Sequence, residues 1–475
     1  MVRQKLLVAI AATFALSACV NTADTAATQP SQTPAKPKNI IMIVADGMGP
    51  AYTTAYRNFR DDPTTAKVEP VIMDSFFVGN ASTYPAQVSG FVTDSAASAT
   101  ALASGVKSYN GAIGVDKDKK PVTSILQRAK QLGMRTGVAV TSQINHATPA
   151  AYIAHNESRQ NYDALADSYF DDRINDEFVA DVMLGGGTKY FEREDRDVTA
   201  QFIDAGYAYV DTYNKLATLP AGSNILGLFA PVGLPSALDD KRKNRLAYLT
   251  EHAIKHLEND KGFFLLVEAS QVDWAGHAND IAGAMAEMHD LNLALEYLSD
   301  YVKANPDTLV VLTADHSTGG LTIGARGEYR WAPEWLQNLT QSPATIAANL
   351  GKADSPVAYV SNTLGFELST AEAQQIVALA KLDDEKAIEQ GIKTLLDVRS
   401  NTGWTTSGHT GVDVEVFAFG NSSKVFEGQY DNTDIAKKLF GLLPAKTAAP
   451  AKAVEKPVAD ASKSQCDFET DWRCE

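Results

Sequence analysis

Carboxylates and histidines stand where apolar runs of the chain stop. Ile40-Ile41-Met42-Ile43-Val44-Ala45 leads into Asp46-Gly47-Met48-Gly49, Phe263-Phe264-Leu265-Leu266-Val267 into Glu268, and Leu309-Val310-Val311-Leu312-Thr313-Ala314 into Asp315-His316. If the three runs are neighbouring strands, their acids gather on one buried edge. Unpaired carboxylates there repel one another, and each costs on the order of several kcal/mol in lost solvation. Bound metal is the economical remedy. Asp273 and His277 are four apart and share a side if that segment is helical. His409, in Ser407-Gly408-His409-Thr410-Gly411, opens another apolar run. Carboxylate with imidazole suits zinc. A lone histidine is more often a hydrogen-bonded structural residue, but the joint pattern favours metal. His252 and His256 repeat the i, i+4 spacing without a strand-end acid, and Glu251, Lys255 and Glu258 beside them suggest a solvated face. His155 and His289 are weaker candidates still.

A nucleophile is available in Thr93-Asp94-Ser95-Ala96-Ala97-Ser98-Ala99-Thr100-Ala101. The small residues favour a helix that begins at Ser95, where backbone N–H groups and the helix dipole stabilise an anion. Taken alone, the segment is equally an ordinary capped helix. A neighbouring cation would lower the hydroxyl pKa and activate the serine. The run from Asn145-His146-Ala147-Thr148 ends in Ser158-Arg159. The planar guanidinium of Arg159 matches two phosphate oxygens, although an arbitrary arginine would more simply form a surface ion pair.

These groups need a scaffold. Apolar stretches predict strands at Ile40–Ala45, Thr136–Thr141, Ile225–Ala230, Phe263–Glu268, Thr308–Thr313 and Val414–Phe419, with helices at Thr123–Leu132, Asn244–Glu258 and Ile281–Lys303. Continuous apolar strands alternating with helices predict an α/β fold, a central mainly parallel sheet with helices on both faces. In such sheets ligands bind at the carboxyl ends of the strands. The 92 residues between His316 and His409 break this rhythm, with an aromatic stretch at 329–335 and a long helical pattern from Ala371 to Val398. They read as an inserted cap or crown, residues 317–408.

The ordered set DGMG, TDSAASATA, HATPAA followed by SR, VEASQVDWAGH, TADHSTGG and SGHTG, spread from residue 46 to 411, resembles alkaline phosphatase. The resemblance implies hydrolysis of phosphate monoesters through a phosphoserine at Ser95, with Arg159 as phosphate clamp and Asp94 orienting it. It implies two zinc ions, one held by Asp273, His277 and His409 and one by Asp46, Asp315 and His316. It implies one magnesium held by Asp46, Thr148 and Glu268, and a homodimer. His146 and Trp274 stand where the best-studied bacterial form has Asp and Lys; that pair is similar to cold-adapted marine members and would help place phosphate. A phosphodiesterase or sulfatase of the same superfamily is the alternative, and a non-catalytic anion-binding lipoprotein is a remoter one.

The chain has 475 residues, 45% of them hydrophobic, enough for a large core. Its formal net charge of −16 excludes a nucleic-acid-binding surface. Arg3 and Lys5, an apolar Leu6–Leu16 and Leu16-Ser17-Ala18-Cys19 read as a signal peptide, residues 1–18, ending in a lipobox. Cys19 would be lipidated, anchoring an exported protein to membrane on the periplasmic side or at the surface of the outer membrane, the sorting that Val20 favours. An ordinary secretory signal is the alternative. Cleavage removes two of the 42 basic residues and none of the 58 acidic ones, taking the charge to −18. Residues 19–38 read as a flexible tether, 39–443 as the catalytic domain, and 444–475 as an Ala/Pro/Lys-rich tail. Three cysteines exclude a dense disulfide scaffold; Cys466 and Cys474 read as a small loop in an oxidising compartment, with free thiols the alternative.

Overall fold

The computed structural model describes residues 36–444. The signal peptide, Cys19, nearly all of the tether and the tail with Cys466 and Cys474 lie outside the described residues. Lys36 and Lys38, assigned by sequence to the tether, already hydrogen-bond to the domain, at Leu443 O and Asp307 O (2.6 and 2.8 Å).

Ten strands make the main sheet: β1 Asn39–Val44, β2 Phe77–Ser82, β3 Arg135–Gln143, β4 Val182–Gly186, β5 Ala208–Val210, β6 Ile225–Leu228, β7 Phe263–Glu268, β8 Thr308–Thr313, β9 Val414–Gly420 and β10 Gly428–Asp431. Their order is β10-β2-β9-β8-β1-β7-β3-β4-β6-β5. The central β1, β7 and β8 are buried at every residue, as strands covered on both faces must be. The six expected strands are present with ends within two residues. The other four are short or interrupted by glycine (FVGNAS, VMLGG, AYV, GQYD), so they carry little apolar signal.

Parallel register sets the edge. Val44 lies beside Thr313 on one side and Glu268 on the other, so Asp46 and Asp315 emerge at one level, two residues beyond Glu268 at the same edge. Strand β9 alone runs against its neighbours, pairing Thr313 with Val416 and Leu309 with Gly420. Its start therefore lies at the carboxyl edge of the others, which is how His409, five residues earlier, reaches the same place.

The span 317–408 leaves and re-enters at this edge, where Thr318 pairs with His409. The single long helix expected from Ala371 to Val398 is two helices, Thr370–Leu379 and Glu385–Ser400. Asp384 breaks the pattern because its side chain caps the second helix at Ala387 N. The face of Arg245–Leu257 carrying His252 and His256 is buried rather than solvated. Burial holds both rings neutral, lowering each to about 4.

Asp397, on the helix Glu385–Ser400, accepts a hydrogen bond from Trp404 Nε1 (3.1 Å). Burial raises its pKa to about 7, opposed by that bond and reinforced by Asp280, itself raised by burial to about 6. The folded chain keeps these protons at pH values where the unfolded chain has released them. Their contribution to stability is therefore in place near the unfolded pKa of about 4 and is lost as pH rises through 6 to 7. Asp397→Asn keeps an acceptor for Trp404 and should raise the melting temperature by about 1–3 °C at about pH 8 while leaving it level near pH 4. Thermal unfolding at both pH values checks this, and an equal shift at both would contradict it.

Candidate active site

Ser95 opens the helix Ser95–Ser104, whose residues are buried on all sides except at Ser104. Small side chains let it sink into the domain. Asp94 caps it, accepting from Ala97 N (2.9 Å) through one oxygen and from Gly111 N (2.9 Å) through the other. That second oxygen also accepts from Arg159 Nη1 (3.2 Å). Arg159 Nη2 reaches His146 Nε2 at 3.3 Å. A guanidinium only donates, so His146 accepts there; burial, then Arg159, lowers its pKa to about 3 and keeps it neutral. Ser95, His146, Arg159, Asp273, Trp274, His277 and His409 line one small cleft.

Two clusters of acceptors meet beside the serine. His277 Nδ1 faces the carbonyl of Ser407, and His409 Nδ1 that of Thr93 (2.9 Å). Carbonyls only accept, so both Nδ1 atoms carry the proton. Burial, with His316 next, lowers His409 to about 3, so its ring is neutral. Its bare Nε2 then lies 3.0 Å from His277 Nε2 and 3.6 Å from Asp273 Oδ1, while His277 Nε2 lies 3.4 Å from Asp273 Oδ2. Acceptors aimed at one another in this way fit a cation between them.

The second cluster follows the same logic. The Thr318 hydroxyl donates to Asp273 Oδ1, so at 3.2 Å it accepts from His316 Nδ1. A neutral His316 then turns a bare Nε2 toward Asp315 Oδ2 (3.1 Å), Asp46 Oδ1 (3.5 Å) and the Ser95 hydroxyl (3.1 Å). Neither Asp46 oxygen has a hydrogen-bond partner, although the residue is fully buried. Burial, then Asp315, Asp273 and Glu268, pushes its pKa well up. Asp46 also joins a third group with His146 and Glu268. Burial raises Glu268 to about 7. One Glu268 oxygen accepts from Ser142 (3.1 Å), and buried Thr148 adjoins on the helix Ala147–Ile153. Asp46 with an oxygen to offer each group fits a shared ligand.

A model of the alkaline phosphatase family matches residues 37–444. The chain belongs to the alkaline phosphatase family. This phosphatase is 46% identical to alkaline phosphatase 3 of Bacillus subtilis over 415 residues, which cover 86% of this chain and 89% of that one. It is 32% identical to the alkaline phosphatase of Escherichia coli, over 70% of this chain and 80% of that one. Among solved structures it is similar to a cold-active alkaline phosphatase from a psychrophilic Shewanella (51% identity, TM-score 0.82, 86% of this chain and all of that one). A TAB5 alkaline phosphatase variant with magnesium in its M3 site is 28% identical at TM-score 0.65, over 86% and 99% of the two chains.

All the site residues expected from sequence converge in this phosphatase; Cys19 alone is outside the described residues. His155 and His289 are engaged elsewhere, with Gly114 O and Tyr56, and His252 with His256 joins no group of three ligands among the described residues. The sequence reading omitted His146 from the third group and passed over Thr318 altogether, although Thr318 lies two residues after His316. Gly47 explains DGMG: its φ is +75°, and a Cβ there would lie 2.6 Å from the Asp273 backbone.

Thr318→Ala should weaken metal retention about tenfold by freeing the His316 tautomer, while Thr318→Ser retains it. Titration with a competing chelator measures this. Unchanged retention in Thr318→Ala would show that the hydroxyl does not set the ring.

Proposed function

We propose that this phosphatase hydrolyses phosphate monoesters through a phosphoserine at Ser95, in a site holding two zinc ions and one magnesium. The supporting observation is that the Ser95 hydroxyl, at a helix N-terminus, lies 3.1 Å from His316 Nε2 in a cleft shared with Arg159 and the Asp273 cluster. Asp273, His277 and His409 would hold the first zinc, and Asp46, Asp315 and His316 the second. Asp46, Thr148 and Glu268 would hold magnesium, with His146 beside them; the magnesium in the TAB5 relative supports a third site. When bound, these ions supply Lewis-acid charge that lowers the serine pKa and offsets charge on the leaving oxygen.

The chain's own groups do the positioning. Arg159 presents its guanidinium fork to two non-bridging oxygens of phosphate, held from behind by Asp94 and His146. Ser95 Oγ, freed of its proton, forms the bond to phosphorus as the ester oxygen leaves. Backbone N–H groups of the first helical turn face the negative charge on the phosphoryl oxygens. Water then cleaves the phosphoserine and releases inorganic phosphate. The uncatalysed reaction is so slow that roughly 20 kcal/mol or more must come off its barrier, which a single clamp or dipole does not supply. By formal count, three divalent ions against four carboxylates leave about +2 in the pocket of an acidic protein.

The same reading makes the protein exported and lipid-anchored at Cys19, a homodimer like its family, with residues 317–408 as a cap. No helix among the described residues is long and apolar enough to cross a membrane.

Ser95→Ala should abolish turnover of p-nitrophenyl phosphate, and acid-quenched wild type should carry phosphate on Ser95 by peptide mass spectrometry. A variant of full activity would refute the assignment, and a faster rate on the bis-ester would favour the phosphodiesterase. Trp274→Lys adds a cation at the cleft and should strengthen product inhibition by phosphate; an unchanged inhibition constant would remove Trp274 from phosphate release.

A further inference from the structure

The loop after β6 crosses the carboxyl edge and is stitched down there. Leu234 N donates to Thr141 O (2.9 Å), and the Gln271 amide donates to Thr141 O (2.8 Å) and Leu234 O (2.7 Å). This fixes Gly233 against the outer ring of Trp274. A Cβ on Gly233 would lie 2.4 Å from both Cη2 and Cζ3 of the indole, with Thr141 O at 3.2 Å. Gly233 is not among the residues with positive φ. Its backbone therefore suits any residue, and what excludes a methyl group is chiefly the ring.

The ring leads to the phosphate clamp. Trp274 meets His146 edge-on, with centroids 5.9 Å apart and planes at 81°. His146 Nε2 accepts from Arg159, whose other Nη donates to Asp94. We infer that Gly233 is a positioning residue for phosphate binding: the space it leaves seats the Trp274 ring, which sets His146 and through it the Arg159 guanidinium. The inference rests on the reading of Arg159 as phosphate clamp.

The full chain with Gly233→Ala, alone and combined with Trp274→Ala, tests this. In the Trp274 background, Gly233→Ala should raise KM for p-nitrophenyl phosphate and the inhibition constant of phosphate about tenfold, with a smaller fall in kcat. In the Trp274→Ala background, where the conflicting ring atoms are gone, the same substitution should change neither constant. Equal losses in both backgrounds would overturn the inference, since glycine would then act through the backbone; so would no loss in the first. Should Gly233→Ala alone not fold, a folded double variant upholds the ring conflict and an unfolded one overturns it. Arg159→Ala separates the two readings: unchanged phosphate inhibition there would sink the clamp, and with it the route from Gly233 to phosphate, whereas the Gly233–Trp274 coupling is read from the difference between backgrounds.

Discussion

The lone pairs of His277, His409 and His316 are turned toward one another's neighbouring carboxylates, and much of the structure serves to keep them so. Each ring is committed at Nδ1, by Ser407 O, Thr93 O and the Thr318 hydroxyl. A neutral ring held in this way leaves its Nε2 bare among acceptors. In a buried site such an arrangement is unfavourable without positive charge. The cost is concentrated at Asp46, where two buried oxygens meet no donor. The same feature that would strain an empty site suits a divalent cation, because a multiply charged centre satisfies several acceptors together.

The scaffold follows from that requirement. Parallel β1, β7 and β8 end in register, so their acids reach one edge within two residues of one another. The reversal of β9 brings His409 to the same edge from the far end of the chain. Gly47 admits the Asp273 backbone where any side chain would block it. The serine helix is built of small residues and capped by Asp94, the carboxylate that also holds Arg159. One residue thus fixes both the Ser95 helix and the Arg159 guanidinium. The acidic surface has little bearing on this, since charge at the protein surface is screened beyond about 8–10 Å.

Much of this was legible in the sequence for a physical reason. Strand-end acids interrupt apolar runs, and a buried strand has no other use for a charge at its end, so Asp46, Glu268 and Asp315 stand out one by one. Arg159 and His409 stand out less by themselves, because an isolated Arg or His has too many structural uses, and the ordered motifs strengthen both. What sequence did not disclose depends on contacts between distant segments. The role of Thr318 requires Asp273 and His316 on either side of it, and the need for glycine at 233 exists only because Trp274 lies against it. His252 and His256 misled in the other direction: charged neighbours suggested solvent, but Glu251 and Lys255 lie on other faces of the helix and Glu258 follows its end. The break before Glu385 was hidden because helical periodicity continues across it, and the capping role of Asp384 shows only in its bond to Ala387 N.

The central claim is that the converging lone pairs hold divalent metal on which both fold and chemistry depend. The most direct test is elemental analysis of the purified chain, paired with its melting temperature and its rate on p-nitrophenyl phosphate before and after chelation. The account predicts close to three divalent ions per chain, joint loss of activity and thermal stability on their removal, and recovery of both when zinc and magnesium return. A metal-free chain that melts at the same temperature and still turns over the ester would contradict it.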